Sequence, residues 1–109
     1  MNTNARTLPE PTRVYRRNPD TATRPIAGET FILAIRGELA SLERMFVLDD
    51  VGLTIWNSLD GNRELRAVVA QITDNFDVDH DTAMNDVVEF LEGLRESGLV
   101  LVADEEGDG

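Results

Sequence analysis

The chain has no cysteine, few aromatic residues, no long apolar run and, among its ten basic residues, no lysine. Without cysteine there are no disulfides and no thiolate metal sites, which fits the cytoplasm, where we expect the protein to work. No stretch approaches the roughly 20 apolar residues that span a bilayer, so no membrane role is expected. The first twenty residues, MNTNARTLPEPTRVYRRNPD, contain no apolar segment of the kind a secretory signal needs. Aromatic residues make up 6% of the sequence, so leucine, valine and isoleucine must supply most of the burial. What is present, 109 residues at 41% hydrophobic, suits one small domain with one modest core.

Charge is the first functional constraint. The net charge is −11, and it is unevenly placed. Residues 1–24 carry five arginines against Glu10 and Asp20, while residues 25–109 carry five arginines against nineteen acids. Nucleic-acid affinity comes largely from neutralising phosphates, so a folded part this acidic argues against a nucleic-acid partner. It suits basic partners, although solubility alone is a sufficient reason for an acidic surface.

Residues 1–21 hold Pro9, Pro11 and Pro19 and almost no apolar periodicity, and are expected to form a disordered tail. The ordered domain is expected over 22–102. A short first strand is read at 23–27, at an edge or brief because Pro25 lacks an amide donor. Residues 31–35 are apolar on both faces and suit a central strand. A polar connection, 37–43, leads to a third strand at 44–48, with Phe46 and Leu48 on one face and Met45 and Val47 on the other.

Asp49 or Asp50 then caps a first helix in which Val51, Ile55 and Leu59 share a stripe, with Trp56 beside them. Gly52 weakens that helix by about 1 kcal/mol relative to alanine, so tertiary packing must hold it. Asp60-Gly61 ends it. A second helix is read from about Arg63 to Asn75, with Asn62 as its cap. A third runs from about His80 to Ser97, capped by Asp79 and stopped at Gly98. Its stripe of Ala83, Val87, Phe90, Leu91 and Leu94 is widened by Met84 and Val88 beyond what one packed side needs. Leu99 to Val102 is a short apolar segment, and 103–109 reads as a disordered acidic tail. The expected class is therefore α+β: a winged helix-turn-helix-like domain, with a three-stranded antiparallel sheet followed by three helices.

Catalytic chemistry has little to stand on. The single histidine, His80, sits at the polar start of a helix. Asp74, Asp77, Asp79 and Asp81 lack the loop pattern and late glutamate of a calcium-binding helix–loop–helix. Adjacent Asp49 and Asp50 are a poor acid–base pair, and no phosphate loop or nucleophile–base arrangement is visible. No metal, cofactor or enzyme activity is expected. A winged helix normally places its third helix in a DNA groove. Here that helix reads Asp79, Asp81, Asp86, Glu89, Glu92 and Glu96 against the single Arg95, so it would set like charge against like.

What remains is backbone. In a three-stranded meander the third strand has an unpaired outer edge, and such edges template strand addition. Residues 44–48, RMFVL, hold no proline and one charge, so this edge is scarcely blunted. With the third helix alongside, an extended peptide could pair with the strand and set alternate side chains against the helix. The alternatives are that the N-terminal tail covers the edge, or that a second copy does, making the protein a homodimeric structural or regulatory adaptor.

Five runs, RPIAGE at 24–29, VLDDVGLTIW at 47–56, LDG at 59–61, DVVEFLEGL at 86–94 and SGLV at 97–100, together resemble the PqqD family in order and spacing. The resemblance covers about residues 23–102. It implies a small winged-helix-like domain that recognises ribosomally made, post-translationally modified peptides. Such a domain holds the precursor's leader as an added strand between the third strand and the third helix. It presents the precursor to a tailoring enzyme, often a radical SAM protein, as the founding member does in pyrroloquinoline quinone (PQQ) biosynthesis. The family's domain is a peptide chaperone, is not catalytic and needs no cofactor. Carried over by position, and with Arg44 added from the edge itself, the peptide-binding candidates are Arg44, Met45, Phe46 and Val47 on the strand. On the helix they are Asp86, Val87, Phe90, Leu94 and Arg95. Two positions depart from the family pattern: Asp49 stands for the usual asparagine, and Glu64 for the threonine or serine that opens the second helix.

Overall fold

A computed structural model describes residues 8–35 and 45–103. The chain runs β1 (Val14–Arg17), β2 (Thr21–Ile26), β3 (Glu29–Ala34), β4 (Met45–Leu48), α1 (Asp50–Ser58), β5 (Asp60–Glu64), α2 (Leu65–Asn75), α3 (His80–Glu96) and β6 (Val100–Val102). The mixed class with three helices is as expected. The single sheet is not: among the described residues six strands form two three-stranded antiparallel sheets, of order β2-β3-β4 and β5-β1-β6.

The first sheet is the expected meander. Glu29 pairs with Ile26, leaving Ala27-Gly28 as a two-residue loop. Both loop residues have positive φ, 54° and 86°, the signature of the hairpin turn whose twist matches its strands. Cross-strand partners share a face. Ile32, fully buried, and its partner Phe46 face the core, whereas Phe31 and its partner Val47 face away.

The second sheet overturns the loose-tail reading for residues 14–21. β1 is its central strand, pairing Tyr15 with Val102 on one side and Val14 with Glu64 on the other. Tyr15 is 1% exposed and belongs to the core. The segment before β1 is also tied down. α2 has no side-chain cap, and Asn62 does not supply one. Its first amides instead donate to main-chain oxygens of the N-terminal segment, Leu65 to Arg13 at 2.8 Å and Arg66 to Pro11 at 2.9 Å. These are the orphan donors every helix start must satisfy. Residues 1–7, the 36–44 connection and the 104–109 tail lie outside the described residues.

The helix ends follow local chemistry. Asp49 caps α1, its carboxylate accepting from the Gly52 amide at 2.8 Å, and Asp79 caps α3 through the Thr82 amide. α3 stops in a Schellman motif. The Leu99 amide reaches the Leu94 carbonyl, the Gly98 amide reaches that of Arg95, and Gly98 has φ 82°. Asn18 then ties this turn to the end of β1: its side chain donates to the Gly98 carbonyl at 2.8 Å, and its amide to that of Leu99. The stripe residues Ala83, Val87, Val88, Leu91 and Leu94 are all buried against a core that includes Ile55, Trp56 and Leu65.

Candidate functional site

β4 is an edge strand. It pairs with β3 from Leu33↔Met45 to Thr30↔Leu48, and among the described residues no strand pairs with its other side. Alternate residues of an antiparallel edge direct both amide and carbonyl outward, so this side offers main-chain donors and acceptors. Val47 stands here 56% exposed.

Beside the end of this edge lies an open cleft of about 660 Å³. Val47, Leu48, Leu53 and Phe90 give it an apolar floor, and Gly28, Glu29, Thr30, Asp49 and Asp50 form the remaining wall. Four elements meet in it: the β2–β3 hairpin, the end of β4, the first turns of α1 and the middle of α3. Gly52 explains how they come so close. A methyl group built on it would lie 3.2 Å from Phe90 Cε1, 3.2 Å from Asp49 Oδ1 and 3.3 Å from Leu48 Cδ2. The glycine that weakens α1 in isolation lets the Phe90 ring and the end of β4 approach its first turn.

The sequence candidates separate. Val47 and Phe90 come together in the cleft. Asp86 is exposed one turn before Phe90 on the same helix face, roughly 40° away at 100° per residue. Phe46 is partly buried and packs inward on the core. Val87 and Leu94, 0% and 3% exposed, lie wholly within the core and back the site without reaching it. Arg95, roughly 140° around α3 from Phe90, lines a different hollow with Leu8, Pro9, Glu10, Arg13, Glu92 and Glu96. Arg44 and the Met45 side chain lie outside the described residues. Sequence reasoning missed Leu53, Thr30 and Glu29 as cleft residues. Leu53 was legible as an apolar residue in α1 set off from the stripe of Val51, Ile55 and Leu59; the other two follow from the hairpin register alone.

The hollow around Arg95 has its own electrostatics. The Tyr15 hydroxyl donates to Glu92 Oε2 at 2.6 Å, Arg95 grips Oε1 through Nε and Nη2 at 3.2 and 3.1 Å, and Arg13 Nη1 lies 4.0 Å from Oε2. Burial, then the Glu92 carboxylate, push the Tyr15 phenol up to about 12. Burial disfavours ionised Glu92, but the Tyr15 hydroxyl and the arginines outweigh it and hold Glu92 below the usual carboxylate range. This network binds β1 to α3 on the side of the helix away from the cleft. Leu8 and Val88 line an adjoining hollow.

The family model for coenzyme PQQ synthesis protein D (PqqD) matches residues 29–100, which include every residue lining the cleft except Gly28. The chain belongs to the PqqD family. A relative named PqqA binding protein, from Rhizobium meliloti (strain 1021), is 31% identical over 70 residues, covering 64% of this chain and 64% of that protein. The chain thus matches a little under two thirds of the relative's length. Among solved structures, TbiB1 in complex with the TbiA(beta) leader peptide superposes with a TM-score of 0.64 at 25% identity, over 78% of this chain and 93% of that one. Lasso peptide synthetase B1 complexed with the leader peptide gives 0.66 at 20% identity, over 80% and 96%, a likeness of fold. These two solved structures share the mixed fold of helices and antiparallel strands seen here. Among the described residues no group of acids and histidine is placed to hold a metal ion, and no helix is long and apolar enough to cross a membrane.

Proposed function

We propose that this PqqD-family protein is a non-catalytic peptide chaperone that binds the leader of a ribosomally made precursor and presents it to a modifying enzyme. The observation that carries this reading is the β4 edge, open among the described residues and lying beside the cleft between Val47 and Phe90. A leader added to β4 as a further strand takes main-chain hydrogen bonds from the edge and sets alternate side chains toward Leu53 and Phe90. The names of the relatives support the ligand class, since one is a PqqA binding protein and two hold leader peptides. On this reading the domain is winged-helix-like in form without the DNA function of that form. Asp81, Asp86, Glu89 and Glu96 are exposed on α3, where a DNA reader would carry cations. The enzyme it serves is of the radical SAM class, the product is PQQ or another modified peptide, and the setting is the cytoplasm.

The test is an amide-shift titration of isotope-labelled protein with the leader segment of a PqqA-type precursor. Shifts centred on 45–48 and on α3 around Phe90 are expected. Silence at both would refute strand addition at this edge. Phe90→Asp should weaken binding at least tenfold while the circular dichroism spectrum stays native. Sedimentation at micromolar concentration separates this reading from the adaptor one. A tight dimer whose β4 amides are protected from exchange without peptide would mean that a second copy consumes the edge.

A further inference from the structure

The acids around the cleft allow its ligand to be specified further. The floor is apolar, while every ionisable residue lining it, Glu29, Asp49 and Asp50, is a carboxylic acid. Asp86 adds a fourth acid one turn from Phe90. Among the described residues no ion pair engages Glu29, Asp50 or Asp86. The cleft also sits at the N-terminus of α1, whose dipole contributes roughly half a positive charge. Two full negative charges at Asp49 and Asp50 exceed it, and Glu29, which also lines the cleft, adds a third. The field at the mouth is therefore negative.

We propose that the cleft selects a peptide segment in which an apolar side chain is flanked by a basic one. The apolar group seats on Leu53 and Phe90, and the cation lies among Glu29, Asp49 and Asp50. This rests on the reading of the cleft as a peptide site and adds the chemistry of the segment that enters it. An acidic or purely apolar segment forgoes the attraction and, if acidic, meets repulsion from all four carboxylates. The rim charges are exposed, so each contributes modestly at contact. They act together on an approaching strand within a Debye length of about 8 Å at physiological salt.

The probe is a set of three synthetic decapeptides of alternating leucine and threonine, identical except for one flanking position that is arginine, glutamine or glutamate. Each is titrated into the full chain and followed by amide shifts. The arginine peptide should bind roughly tenfold more tightly than the glutamate peptide at low salt. That ratio should fall below about twofold in about 0.5 M salt. It should fall by about half as much in the double variant Glu29→Gln, Asp50→Asn, which removes two of the four acids. If all three peptides bind equally, with shifts at Val47 and Phe90, the selection is wrong while the peptide site stands. A preference that the double variant leaves undiminished also overturns it, because the rim is then not its source. If none of the peptides moves Val47 or Phe90, the selection and the peptide reading fall together.

Discussion

Tyr15 is where the N-terminal segment can be tested as part of the fold. Its ring is 1% exposed in the core and its hydroxyl donates to a partly buried carboxylate at 2.6 Å. Truncating a buried aromatic to alanine costs about 3–5 kcal/mol. A hydrogen bond to a charged group contributes about 1.5–3 kcal/mol, and its loss leaves Glu92 with the arginines alone. Tyr15→Phe should therefore destabilise by about 2 kcal/mol and Tyr15→Ala by about 4 kcal/mol or more, a large part of the 5–15 kcal/mol typical of a domain. Urea denaturation followed by fluorescence measures this directly, because the single tryptophan, Trp56, is 2% exposed and reports on the core. If Tyr15→Ala unfolds within 0.5 kcal/mol of the parent, a loss on the order of a surface change, then β1 is not part of the cooperative unit and the second sheet is wrongly assigned.

Three further outcomes follow from the same structure. Tyr15 titrates near 10 unfolded and about 12 folded, so its contribution is complete below pH 10 and is lost as pH rises through 12. About 2–3 kcal/mol should disappear across that window, and Tyr15→Phe should flatten it in pH-dependent denaturation. Leu94→Ala should cost about 2–5 kcal/mol in stability, and at temperatures where it stays folded its peptide affinity should match the parent, because Leu94 backs the cleft without lining it. Ala27→Asn should stabilise the hairpin by about 0.5–1 kcal/mol, since Ala27 sits at φ 54° where asparagine is tolerated and alanine is strained; an unchanged or lower denaturation midpoint would contradict that loop geometry.

Much of the fold was legible because its signals are local. A short proline-limited strand, an apolar β-branched run and a two-faced third strand marked β2, β3 and β4 to within two residues, and Asp49, Asp79 and Gly98 marked helix ends that the structure places there. The second sheet was not legible, for a physical reason. β1 reads VYRR and β5 reads DGNRE, so neither shows an apolar face. β1 is held by main-chain bonds on both sides and by one buried side chain, Tyr15, and main-chain pairing leaves no mark in residue types. The start of α2 was hidden in the same way. Its amides are satisfied by carbonyls of Pro11 and Arg13, more than fifty residues away, so no capping residue was needed and none was there to read.

The same limit explains which half of the candidate site was read well. A helix stripe gives direction only relative to whatever packs on it. α3 meets the core at Val87, Val88 and Leu94 and the N-terminal segment at Glu92, through Tyr15 and Arg13. The surplus width that pointed to a groove is consumed by the core itself, which buries Val88 and has Met84 packed against it. What is left toward β4 is narrow, Phe90 with Asp86 beside it, and Gly52 is what lets that ring meet the strand end. On the proposed reading, specificity at this cleft rests on one aromatic anchor, a short open edge and a rim of carboxylates, so the sign of the ligand's charge discriminates alongside its hydrophobic content.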